Sequence, residues 1–214
     1  MRKIYVSKKA HYCLKEYLTA RDYELVYTQC QQVYPAIQSH PDILMCHLGN
    51  ELFKGDPKKI GAKYPEDIRY NCVCTGKYFI HNLKYTDESL LKRVKELNMT
   101  LVNVKQGYTK CNVVVVNENA IITSDMGIYK VCKDILKVLL ISDEQVLLPG
   151  LNTGFLGGAS GRVGNEILFN GDLSAHKDFK RIIEFIENEG LTAVWFEGLP
   201  LTDIGTIISE EIYI

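Results

Sequence analysis

Short apolar runs alternate with polar turns along the whole chain, and one phrase of that pattern recurs. Residues 49–56 read GNELFKGD and residues 164–172 read GNEILFNGD, the same phrase with one residue inserted. Looser copies occupy residues 116–125, 74–82 and 208–214. Each copy sets an apolar run on either side of a short turn rich in Asn, Gly and Glu, which is a β-hairpin signature. Self-similarity of this kind marks a repeat architecture.

In three copies the pattern then changes from strand to helix period. Residues 87–98 place Leu90, Leu91, Val94 and Leu97 on one face, with Asp87 and Glu88 in the first turn. Residues 127–140 space Ile128, Val131, Ile135 and Val138 similarly. Residues 176–188 do the same with Phe179, Ile182, Ile183 and Ile186, and stop near Gly190. One more strand is predicted after each helix, at 100–104, 146–148 and 192–196. The predicted unit is strand, strand, helix, strand. The last copy lacks its helix and third strand, and residues 8–20 and 23–28 at the other end of the chain supply them. The second copy is followed by the polar loop DPKKIGAKYPEDI instead of a helix. The expected fold is therefore α/β, a five-bladed α/β propeller with pseudo-fivefold repeats. Pairing of the two termini closes it and removes exposed sheet edges. One domain is expected, with repeats at 202–214 plus 1–34, 38–69, 70–109, 110–153 and 154–201.

Composition narrows the function classes. The 214 residues are 46% hydrophobic and 24% charged, with 25 basic and 26 acidic side chains, which fits a globular chain and not a disordered or fibrous one. No charge block is present, so neither nucleic acid nor an anionic membrane surface is an expected partner. Apolar runs such as 113–116 and 138–141 are far too short to span a bilayer. The first thirteen residues, MRKIYVSKKAHYC, contain no apolar core of a secretory signal. The seven Cys are accordingly expected as reduced thiols in a cytoplasm.

Five such units closed end to end resemble the pentein superfamily, the fold of guanidino-group-modifying enzymes. Its members include dimethylarginine hydrolases, arginine deiminases, amidinotransferases and a non-enzymatic ribosome anti-association factor. The resemblance covers the whole chain as a pattern. It implies a central pocket in which acidic residues grip a guanidinium, a His moves protons and a Cys near the carboxyl end attacks carbon. At the matching positions this chain has Cys46, His47 and Leu48 in place of the acidic pair, and Asn71 in place of an Asp. Lys110-Cys111-Asn112 stands in place of the His, and Thr202 or Asp203 in place of the Cys. The usual amidino chemistry is therefore not expected here.

What remains is a polar set: Asp42, Cys46, His47, Asn71, Lys110, Cys111, Asn112 and Asp203. The leading expectation is a pocket for a small polar or amino-acid-like ligand. The alternative is a Cys-dependent hydrolase of a guanidino or amidine compound with relocated residues, in which His47 reaches Cys111 and Asp203 or Asp42 orients the imidazole. A third reading is a ribosome- or protein-interaction module. The glycine-rich stretch 157–164 contains Ser160 and Arg162 and matches no nucleotide-binding motif. It is either an anion nest, with Arg162 and Lys110 as charge partners, or a loop that allows close backbone approach. Cys72 and Cys74 lack the usual zinc spacing, so no metal and no cofactor are expected.

Overall fold

Five small sheets and five helices form among residues 2–143 and 145–211, which the computed structural model describes. The chain order is β1 (Arg2–Val6), α1 (Tyr12–Thr19), β2 (Tyr23–Tyr27), β3 (Met45–Leu48), β4 (Glu51–Lys54), β5 (Val73–Cys74), β6 (Tyr78–His81) and α2 (Glu88–Glu96). It continues with β7 (Thr100–Asn103), α3 (Thr109–Asn112), β8 (Val113–Asn117), β9 (Ala120–Thr123), α4 (Met126–Cys132) and β10 (Lys137–Leu140). Last come β11 (Ser160–Val163), β12 (Glu166–Phe169), α5 (Phe179–Asn188), β13 (Thr192–Val194) and β14 (Ile208–Ser209). The sheets β5-β6-β7, β8-β9-β10 and β11-β12-β13 repeat one plan, an antiparallel hairpin whose second strand also pairs in parallel with the strand after the helix. β3 and β4 pair alone, and a single 3₁₀ turn at Pro57–Lys59 follows them in place of a helix.

The two ends of the chain share the fifth sheet. β14 lies antiparallel to β1, with Ile4 opposite Ser209 and Tyr5 opposite Ile208, and β1 lies parallel to β2. The expectation that the tail alone supplies that hairpin is corrected: one strand comes from each end. Residues 212–214, placed in the same hairpin by the sequence, lie outside the described residues. The sheets do not join into a closed barrel among the described residues.

Local chemistry explains the elements. Asp87 caps α2 by accepting from Ser89 and Leu90 N–H, and Asp125 caps α4 through Ile128 N–H. α2 buries Leu90 and Val94, and α5 buries Ile182 and Ile186. The predicted helix over 127–140 is shorter than expected. α4 ends at Cys132, and Lys137–Leu140 becomes a strand parallel to β9. Residues 146–148 are not that third strand; only Leu147 forms a bridge there, to Thr202. An apolar run of four is compatible with either period, and parallel pairing to β9 decided it.

Candidate functional site

The first strands of the sheets approach one another in sequence: β3 meets β5, β5 meets β8, β8 meets β11 and β11 meets β14. His47 on β3 completes the circuit, its Nε2 lying 2.7 Å from the Ser209 carbonyl oxygen on β14. These strands enclose an axial cavity of about 60 Å³ lined by residues of all five, including Cys46, His47, Ser160 and Arg162. A second cavity of about 200 Å³ opens to one side, and its wall brings together His40, Cys111 and Asp203.

The polar candidates divide between these places. Asp42, Asn71, Lys110, Cys111 and Asp203 form one buried cluster. The Cys111 thiol donates to Asp42 Oδ2 at 3.0 Å, and Asn71 Nδ2 donates to Cys111 Sγ at 3.3 Å. Asn71 Oδ1 accepts the backbone N–H groups of Lys110 and Cys111, which fixes the one-turn helix α3 that carries them. Lys110 Nζ donates to Thr206 Oγ1 at 2.9 Å and to the Val113 and Gly157 carbonyls. Asn112 points away, donating to the Tyr108 carbonyl, and lines an adjoining outer cleft. Cys46, His47, Ser160 and Arg162 line the axial cavity, and Lys110 belongs to both places. The expected meeting of His47 with Cys111 is corrected, because the His47 ring is tied to Ser209 by the strand geometry of β3.

The imidazole that does share a wall with Cys111 is that of His40, a residue outside the predicted polar set. Its residue is 1% exposed, and neither ring nitrogen has a hydrogen-bond partner. Nδ1 is 3.9 Å from Asp203 Oδ1, beyond hydrogen-bond reach. Burial, with a smaller contribution from Lys9, lowers its pKa to about 3, so the ring is neutral. Gly205 makes this placement possible: with φ +71 it adopts a left-handed turn, and a Cβ there would overlap His40 Cβ.

Asp203 accepts from Phe155 N–H at 3.0 Å and Gly205 N–H at 2.9 Å. Burial and then the neighbouring Asp42 raise its pKa to about 7. Burial also raises Asp42, and burial with both carboxylates raises the Cys111 thiol well above its ordinary value. Burial lowers Lys110. The thiol is thus held protonated, which is the opposite of an activated nucleophile.

The glycine-rich stretch serves close approach. A Cβ at Gly158 would overlap the Asp203 carboxylate, and one at Gly161 would overlap the Ile207 backbone. Its N–H groups are used within the chain, Gly158 donating to the Cys111 carbonyl and Ala159 to those of Phe155 and Leu156. Arg162 donates to the Gly164 and Val116 carbonyls. No anion nest is left open at these donors.

The tyrosines Tyr34 and Tyr108 also line the side cavity. Tyr108 donates to Asp67 Oδ2 at 2.6 Å, and the two phenols are 3.0 Å apart. Burial and Asp67 raise the Tyr108 pKa. Among the described residues, no group of three or more His, Cys, Asp or Glu is arranged to hold a metal, and no helix is long and apolar enough to cross a membrane.

Comparison with known families places most of this chain in one of them. The model of a family of unknown function, DUF6873, matches residues 53–208. No curated protein and no solved structure matches the chain.

Proposed function

The chain belongs to the DUF6873 family, and we propose that it binds a small organic cation bearing N–H groups, an amine or amidine, in the side cavity. The observation that carries this reading is where the protons go. Cys111 spends its proton on Asp42. Tyr108 spends its proton on Asp67, so the Tyr34 proton bridges to Tyr108. Asp203 offers only acceptor oxygens when ionised. The cavity therefore turns acceptors inward, and among the described residues of its lining the His40 ring N–H and the Thr153 hydroxyl remain as donors. A ligand that satisfies acceptors brings donors, and one that settles beside the Asp203 carboxylate brings positive charge. Tyr34, Tyr108 and Phe155 add ring faces that favour a cation. An amino-acid-like anion finds no Lys or Arg among the described residues of this lining.

The same proposal takes the fold to be a five-bladed α/β propeller of the pentein kind. It is supported by the repeated sheets, the β1–β14 pairing and the cavity common to all five first strands. One domain then spans the chain. The test is calorimetric titration at pH 8 with acetamidinium and with acetate. Binding of the cation alone, lost in Asp203→Asn, is expected; binding of acetate alone would overturn the reading.

A second reading, a thiol-dependent hydrolase of an amidine, is favoured by one observation: Cys111, His40 and Asp203 share a wall. The protonated thiol counts against it. Loss of turnover in Cys111→Ala with retained binding would favour it.

A further inference from the structure

The side cavity concentrates its charge at one point. Among the described residues that line it, Asp203 is the one acid, no Lys or Arg is present, and His40 is neutral. The Asp203 carboxylate is only half used. Oδ2 accepts from Phe155 N–H and Oδ1 from Gly205 N–H, and each ionised oxygen has capacity for a second donor. Two acceptors side by side match a planar fork of two N–H groups. The rest of the wall is of another kind. Ile37, Ile43 and Leu148 are buried on it together with the three rings, while Leu151 and Thr153, which also line it, are exposed. Size matters as well. The cavity measures about 200 Å³, and an apolar cavity of about 150 Å³ accommodates a benzene ring. Acetamidinium, whose body is a single methyl group, leaves most of that apolar wall without a contact.

We infer that the ligand of this site is an amidinium joined to an uncharged apolar body the size of an aromatic ring, rather than a small hydrophilic cation, a dication or a zwitterion. The amidinium fork meets the two Asp203 oxygens, and the body lies against Ile37, Ile43 and Leu148. This inference rests on the cation reading of the cavity and adds the chemical class. Burial of the body removes apolar surface from water, which is where a site with one charged contact gains affinity. A second charge on the body would lose its water and find no partner on this wall.

The test titrates the protein at pH 8, where Asp203 is ionised, with acetamidinium, benzamidinium and 4-carboxybenzamidinium. Benzamidinium is expected to bind about tenfold or more tightly than acetamidinium, a difference of about 1.4 kcal/mol. The carboxylated ring is expected to lose that advantage. Asp203→Asn, checked for folding by thermal melt, is expected to abolish binding of both simple amidinium ions. Saturating acetamidinium is expected to displace benzamidinium, a measurement that needs no variant. Equal affinity for acetamidinium and benzamidinium would overturn the apolar body and leave the cavity reading standing. Equal affinity for benzamidinium and its carboxylated form would overturn it too, as would benzamidinium that acetamidinium does not displace. Failure of every amidinium ion to bind would overturn the cavity reading itself.

Discussion

Gly158 packs directly on Asp203: a methyl group at its Cα would occupy the space of the carboxylate. The acceptor in the side cavity is therefore aimed by the absence of a side chain four elements earlier in the chain. Gly158→Ala is expected to destabilise the fold by about 1–3 kcal/mol, the usual cost of overpacking. It should also weaken cation binding by turning the carboxylate. Gly127→Ala, where the nearest atom is Asp125 Oδ1 at 2.9 Å on an exposed helix start, should affect binding far less. Thermal melts and titration of the two variants check this.

Stability should depend on pH through Asp203. Its folded pKa, about 7, lies above the ordinary carboxylate value, so the folded chain holds a proton that the unfolded chain releases. The stability associated with that proton is full below the unfolded pKa and is lost as pH rises through 7. Asp203→Asn should remove this decline between pH 5 and 8, measured by urea unfolding. His40 acts at the other end. Its folded pKa of about 3 lies below the ordinary value, so its contribution is full above about 6.5 and is lost as pH falls toward 3.

Affinity for a monoamine should follow ionised Asp203. Below pH 7 the cation must displace a proton, so binding should weaken by up to about tenfold per pH unit. A flat affinity between pH 6 and 8 would contradict the role given to this carboxylate.

Thiol labelling of the native protein should begin at Cys13, the one thiol that is half-buried; the other six are buried. Cys111 should label slowly, since burial and two carboxylates keep it protonated. Fast labelling of Cys111, mapped by peptide analysis, would favour the hydrolase reading.

The sequence revealed the hairpins because their turns are local chemistry. Gly49 and Gly164 open the two matching phrases, and both are left-handed, with φ +53 and +63. The shared terminal sheet was also legible, from a hairpin at one end and a helix at the other. The division of labour within that sheet was not, since strand pairing across the whole chain leaves no local mark. Asp42, Asn71, Cys111 and Asp203 were named from sequence and do meet. His40 was missed, because its role depends on Gly205, far along the chain, passing over it. Tyr34 and Tyr108 were missed for the same reason: a phenol pair 74 residues apart has no periodic signal.

The most direct test of the account is a crystal structure of the protein grown with acetamidinium. Density for a planar cation within hydrogen-bond distance of Asp203, and facing Tyr34, is the predicted result. An unoccupied side cavity, or density only in the axial cavity beside Ser160, would contradict it.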